Sequence, residues 1–209
     1  MSGEIEVKYR VMDPEALADA LGVRGIELST PVYQDDQAYS PASWTFGDPR
    51  IGVTFVRLRT QNGRCTFTTK TPVDNVLACL EHETVVTDRE EMHRAIVAMG
   101  YRPTVRVAKQ RRTAQVGAYA LCVDEVEGAG AFLEVEVVNA DGTDMARVQA
   151  ELAAWVEGLG APLERTGATY DEVVQVAGAT TGQASAPVGG SEHPVPRQPL
   201  LAAGVARRS

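Results

Sequence analysis

Polar and apolar residues alternate from the first residues of the chain. In EIEVKYR, Glu4, Glu6 and Lys8 occupy every second position, with Ile5, Val7 and Tyr9 between them. A period of two is that of a β-strand with one charged face and one apolar face. The pattern recurs. In VTFVRLRT, Arg57 and Arg59 share a face opposite Val56 and Leu58, and in CTFTTKTP, Thr66, Thr68 and Lys70 do so. LEHETVVTD places Glu81 and Glu83 together, TVRVAKQRR places Lys109 and Arg111, and YALCVDEVEG contributes Asp124. In AFLEVEVV, Glu134 and Glu136 alternate with Val135 and Val137.

Helical periods separate these strands. Asp13-Pro14-Glu15 opens one helix with an N-cap, Pro at the first position and an early acid, and Leu17 and Leu21 form its stripe. A second helix starts near Asp88, carries Met92, Ile96 and Met99, and stops at Gly100. A third is capped by Asp144 and bears Val148, Leu152, Trp155 and Val156; ATYDEVVQVA reads as a last short one. Gln61-Asn62-Gly63 marks a tight turn between two strands. The segment VYQDDQAYSPASWTFGDPRIG reads as irregular, and residues 178–209, rich in Gly, Pro, Ser and Ala, as a disordered tail following a domain of residues 1–177.

Seven or eight strands joined mostly by short turns, with few helices, predict an α+β fold. Its expected form is an antiparallel sheet, closed or strongly curved, with helices packed outside. Amphipathic helices need apolar partners, so the apolar strand faces must look outward and the charged faces inward. The 209 residues suffice for one sizeable domain, and 44% hydrophobic with 23% charged residues is ordinary for a globular protein. A net charge of −8 argues against a nucleic-acid track, though not against an anionic ligand held by local charge. Cys65, Cys79 and Cys122 are widely spaced and the three histidines scattered, which argues against a thiolate or zinc site. With no leader-like start and no apolar run of membrane length, a cytoplasmic location is expected.

A charged interior is costly unless its charges are paired, solvated or met by a ligand. Lys8, Arg57, Arg59, Lys70, Lys109 and Arg111 form a cationic set suited to phosphate oxygens. Glu4, Glu6, Glu81, Glu83, Asp124, Glu134 and Glu136 form an all-oxygen set suited to hard cations such as Mg²⁺ or Mn²⁺. A cavity that wants both would hold a metal–polyphosphate.

The same residues resemble the signature of the CYTH superfamily, the triphosphate tunnel enzymes. E-x-E-x-K opens the chain; VRLR, TKTP and VAKQR resemble the family's cationic strands. VDEVEGAGAFLEVE is similar to its D-x-V-x-G-L-G-x-F-x-E-x-E stretch, with Ala129 in place of Leu, and ATYDEVV to its S-Y segment. Asp36, Tyr39 and Pro41 are spaced as in the bacterial class IV adenylyl cyclase branch. The resemblance implies an eight-stranded antiparallel β tunnel, a closed or nearly closed barrel with helices packed outside. By position it implies phosphate contacts from Lys8, Arg57, Arg59, Lys70, Lys109 and Arg111. It implies metal binding or water activation by Glu4, Glu6, Asp124, Glu134 and Glu136, with Glu4, Glu6 and Lys8 at the chemistry. Glu81 and Glu83 match an acidic pair less closely, because Cys79 stands where a basic residue is frequent.

Three functions are compatible with these residues. One is a Mg²⁺- or Mn²⁺-dependent cyclase converting ATP to cyclic AMP and pyrophosphate. Another is a triphosphatase acting on thiamine triphosphate, inorganic tripolyphosphate or a nucleoside triphosphate. A third is a non-catalytic polyphosphate-binding module. The expected partner is a small-molecule triphosphate, with neither membrane nor nucleic acid, and a homodimer is compatible with the sequence. Trp44 and Phe46 either stack on the organic group or anchor their loop. Lys8→Ala or Glu136→Ala is expected to abolish turnover while leaving the thermal melt nearly intact.

Overall fold

Local signals fix the ends of most elements. Asp13 accepts hydrogen bonds from the backbone N–H groups of Glu15 (3.0 Å) and Ala16 (3.1 Å), starting helix α1 (Pro14–Val23). Asp88 does the same for α2 (Arg89–Ala98) and Asp144 for α3 (Met145–Glu157), as the sequence predicts. Asn62 and Gly63 both take positive φ (50° and 72°), the geometry of a two-residue hairpin that matches strand twist. They join β3 (Phe55–Gln61) to β4 (Arg64–Pro72).

The computed structural model of the chain describes residues 3–139 and 144–180. The remaining strands are β1 (Gly3–Val11), β2 (Val32–Pro41), β5 (Ala78–Val86), β6 (Tyr101–Val116), β7 (Tyr119–Val126), β8 (Gly130–Asn139) and β9 (Leu163–Thr166). The pairing order is β5-β4-β3-β2-β6-β7-β8-β1, and β5 pairs back onto β1 through Gly3–Ile5 and Ala78–Leu80. Eight antiparallel strands therefore close into the predicted tunnel.

Two strand readings need correction. Residues 32–41, irregular by their sequence pattern, form β2, paired on both sides with β3 and β6. Gln34, Asp36 and Ser40 are buried on one face and Tyr33, Asp35 and Gln37 lie on the other, so no hydrophobic alternation marks this strand. The short β9 is also unforeseen. It lies alongside Lys8–Val11 on the edge of β1 that β5 leaves free.

The outward faces are apolar, as the helix argument requires. Val7, Tyr9, Leu121, Leu133 and Val135 pack under Leu17 and Leu21 of α1 and Leu152 and Val156 of α3. Val56, Leu58 and Tyr39 pack under Ile96 of α2, whereas Met99, the expected end of that stripe, is exposed at the C-cap. A final helix, α4 (Tyr170–Thr180), behaves differently. Its Tyr170, Val173 and Val174 pack over the inward-facing Val107, Val126 and Phe132, so that it stoppers one end of the tunnel. The region read as a tail begins inside this helix, at residues 178–180; the rest of the tail lies outside the described residues.

Candidate functional site

Alternation along the strands puts the charged residues on the tunnel's inner wall. A cavity of about 270 Å³ is bordered by Glu4, Glu6 and Lys8 of β1, Arg57 and Arg59 of β3, Lys70 of β4, Glu81 and Glu83 of β5, Lys109 and Arg111 of β6, and Glu134 and Glu136 of β8. Of the charged residues singled out in the sequence as phosphate or cation ligands, Asp124 alone is not on that wall. It is fully buried behind it.

Three clusters organise the wall. In the first, Asp124 accepts from Lys109 Nζ (2.9 Å), Arg111 Nε (2.7 Å) and the hydroxyl of Tyr170 (2.7 Å). Arg111 also reaches Glu134, and Glu134 holds Lys8 Nζ at 3.1 Å. The ammonium groups of Lys8 and Lys109 lie 4.2 and 4.3 Å from the centre of the Tyr170 ring, a cation–π arrangement. Burial alone would raise the carboxyl of Glu134; Lys8, Arg111 and Lys109 outweigh it and hold that carboxyl well below the usual range. Asp124 is held low in the same way, by Lys109 and Arg111 against burial. Tyr170 is pushed upward by burial and then by Glu134 and Asp124, so it stays a donor. Tyr170→Phe, which removes the hydroxyl and keeps the ring, is expected to cost about 1.5–3 kcal/mol, the range for a hydrogen bond to a charged group. A urea melt measures this, and an unchanged midpoint would refute the role given to the hydroxyl.

The second cluster is the pair of Asp36 and Arg59, joined by two parallel hydrogen bonds of 2.7 Å. Asp36 is only 6% exposed, and Arg59 holds its carboxyl low against the opposing effect of burial. In the sequence Asp36 stood out only through its family spacing, because its strand was not recognised. A polar residue two positions from Gln34 and Ala38 was the available signal.

The third cluster gathers carboxylates. Lys70 pairs with Glu81 and lies 3.7 Å from Glu4. Burial raises the carboxyls of Glu4 and Glu6, with Glu81 adding to the first and Glu134 to the second. Glu136 is pushed up to about 7 by burial and then by Glu4, Glu6 and Glu134. Cys79 borders the cavity here, and burial pushes its thiol up to about 11, so it is neutral.

Two cations show the opposite imbalance. Burial and then Arg111 bring Lys109 down to about 8, and burial and then Arg59 lower Arg57. Among the described residues, the Nε of Arg57 is buried without a hydrogen-bond partner, while its far nitrogen meets Thr68 at 3.2 Å. Carboxyls thus crowd one side of the cavity beside Lys70 and Lys8, and cations crowd another beside Asp124 and Glu83.

The loop between β2 and β3 closes over the α4 end. Trp44 is 6% exposed, its Nε1 donates to the carbonyl of Pro49 (3.2 Å), and Phe46 and Phe55 meet its ring edge-on. Trp44 thus anchors the loop. Arg50 lies over the rings of Trp44 and Phe55 and makes two 3.1 Å hydrogen bonds to Asp171 of α4. Arg50, Thr169 and Tyr170 carry no strand alternation, which is why their place in the cavity wall was missed.

Comparison with known proteins gives a consistent result. A protein of Methanocaldococcus jannaschii named "Putative adenylate cyclase" is 24% identical over 151 residues, 71% of this chain and 85% of that one. A structure named as a putative adenylate cyclase from Vibrio parahaemolyticus superposes with a TM-score of 0.66 at 23% identity, covering 82% of this chain and 97% of the other. A Hippeastrum putative adenylyl cyclase, described as revealing a dominant triphosphatase activity, superposes with a TM-score of 0.53 at 18% identity, covering 88% and 97%. The CYTH domain family matches residues 2–168. With its eight-stranded tunnel and inward charges, the chain belongs to the CYTH domain family.

Proposed function

We propose that this chain cleaves a phosphoanhydride bond of an organic triphosphate with a divalent cation, as a class IV adenylyl cyclase-like enzyme that forms cyclic AMP and pyrophosphate from ATP. The observation that carries this reading is the double charge imbalance of the cavity. Burial and then neighbouring carboxyls raise Glu4, Glu6 and Glu136, whereas burial and then a neighbouring arginine lower Lys109 and Arg57. A metal–triphosphate relieves both at once.

Among the described residues, no three His, Cys, Asp or Glu side chains are gathered into a ready-made metal shell. Glu4, Glu6 and Glu136 nonetheless fit Mg²⁺ or Mn²⁺ in donor chemistry: hard oxygens in negative excess, with Glu134 beside them. Mg²⁺ is commonly held by one or two carboxylates together with substrate phosphate oxygens. When bound, the cation offsets charge on the phosphate chain. Asp124, its oxygens already taken by Lys109, Arg111 and Tyr170, serves better as a positioning residue than as a metal ligand.

Arg57 and Lys109 would meet phosphate oxygens directly, supported by Arg59, Arg111, Lys70 and Lys8. Such contacts orient the chain and stabilise the charge that develops on it. In the cyclase reaction the ribose 3′-hydroxyl attacks the α-phosphorus, and the bond from that phosphorus to the bridging oxygen breaks. The hydroxyl proton passes to whichever of Glu4 and Glu6 does not hold the cation, acting as general base. Pyrophosphate leaves with the bridging oxygen.

Hydrolysis is the second reading, supported by the dominant triphosphatase activity described for the Hippeastrum protein of the same fold. The same cage would then orient water toward the terminal phosphorus. ³¹P NMR of the protein incubated with ATP, thiamine triphosphate or tripolyphosphate, each with Mg²⁺ or Mn²⁺, separates the two. Cyclic AMP with pyrophosphate is the expected outcome. Orthophosphate establishes hydrolysis instead, and no product from any substrate would overturn the enzyme reading in favour of a binding module.

A further inference from the structure

Strand β1 changes partner along one of its edges. β8 covers the other edge from Gly3 to Arg10, whereas on this one β5 reaches only Gly3–Ile5 and β9 only Lys8–Val11. Glu6 and Val7 therefore lie in a gap between two partner strands. In an antiparallel ladder the N–H and C=O of one residue point the same way, and those of Glu6 point into the gap. Two unmet backbone groups at a barrel seam would be costly.

Groups from outside the sheet meet them. The N–H of Glu6 donates to the carbonyl of Leu77 (3.0 Å), and its carbonyl accepts from Gln149 Nε2 (3.0 Å) on α3. Asn75 joins these two partners. Its Oδ1 accepts from the N–H of Leu77 (3.0 Å), and its Nδ2 donates to Gln149 Oε1 (2.9 Å). The four residues thus close a ring of hydrogen bonds. Backbone groups dictate both amide orientations in it, since the Glu6 carbonyl can only accept and the Leu77 N–H only donate. Glu6 and Leu77 border the cavity, and Gln149 and Asn75 do not.

We infer that Gln149, braced by Asn75, is a positioning residue for the Glu6 carboxylate. This rests on the role given to Glu6 above and deepens it. Holding both backbone groups of Glu6 fixes the direction of its Cα–Cβ bond, and so where the carboxylate enters the cavity, 3.5 Å from Lys8 Nζ. Groups that touch a metal ligand directly are typically worth about 10- to 100-fold in metal affinity. Gln149 acts through the backbone instead, and one neutral hydrogen bond corresponds to about 3- to 10-fold.

The test compares Gln149→Met, which keeps the length of the side chain and removes its donor, with Val148→Ala, which trims the packing of α3 on the barrel and removes no hydrogen bond. Each is measured by amide hydrogen exchange and by binding of Mn²⁺ alone, followed by electron paramagnetic resonance. In Gln149→Met, exchange at the Glu6 N–H should rise by about 3- to 10-fold relative to Val7 and Tyr9, whose backbone groups face β8. Mn²⁺ affinity should fall by a similar factor. Val148→Ala should lower the melt and leave both readouts as in wild type. No change in either readout for Gln149→Met, or equal changes in the two variants, would overturn the inference. A wild type that binds no Mn²⁺ would count against the proposed reaction, and exchange at Glu6 would then decide the inference alone.

Discussion

Asp124→Ala is expected to destabilise the protein by about 3–5 kcal/mol, the usual cost of removing one partner from a buried ionic cluster. For a chain of this size that lowers the melting temperature by roughly 6–20 °C. Asp124 has no exposed surface, and its two oxygens answer Lys109, Arg111 and Tyr170 together. Alanine would leave a lysine that is 2% exposed facing Arg111 with one counter-charge fewer. Asp124→Asn, which still accepts on one oxygen, should fall between the two.

The pH dependence has a definite sign. The folded protein holds the Asp124 carboxyl below its ordinary range, so its contribution is present above that range and is lost as pH falls through the lowered value. The gap in melting temperature between wild type and Asp124→Ala should therefore narrow in acid. A variant that melts within about 2 °C of wild type at neutral pH would contradict the buried-cluster account, since about 3 kcal/mol shifts the melt by roughly 6–12 °C.

Glu136→Gln is expected to do the reverse for stability while abolishing turnover. Burial and then Glu4, Glu6 and Glu134 push the Glu136 carboxyl up to about 7. A raised carboxyl is a penalty on the charged form: absent below the ordinary carboxylate range, growing as pH rises, and complete above about 7. The whole shift would convert to roughly 3 kcal/mol, which screening at a partly exposed side chain reduces to about 1–2 kcal/mol. In EDTA at pH 8 the variant should melt roughly 2–8 °C above wild type, and at pH 4 the two should coincide. Mg²⁺ or Mn²⁺ with ATP should stabilise the wild type more than the variant. Turnover should fall beyond the roughly 10–100-fold typical of residues one shell out from a metal. Full activity in Glu136→Gln would remove that residue from the proposed cation site.

Substitution of Lys8 is a less clean test. The sequence suggests that Lys8→Ala would spare the melt, but Lys8 is 3% exposed and lies 3.1 Å from Glu134 and 3.5 Å from Glu6. Loss of its charge leaves Glu134 more dependent on Arg111, so stability and activity fall together. Among the described residues, Glu136 has no ion pair of this kind to lose.

The alternation of charged and apolar residues determined, without any coordinates, that the strand faces differ and which face carries Glu4, Glu6, Lys8, Arg57, Arg59, Lys70, Glu134 and Glu136. Caps at Asp13, Asp88 and Asp144 and the Asn62-Gly63 turn were equally legible, because each is a bond between residues a few positions apart. Only the tertiary structure decided the rest. β2 has polar side chains on both faces and is a strand because β3 and β6 satisfy its backbone from either side. Asp36 and Asp124 owe their positions to cations 23 and 13 to 15 residues away. The stoppered end is assembled from Trp44, Arg50, Val107 and Thr169, which share no period. A local period reports what one strand presents to its surroundings; which residue meets it there is set by closure of the barrel, a contact between distant parts of the chain.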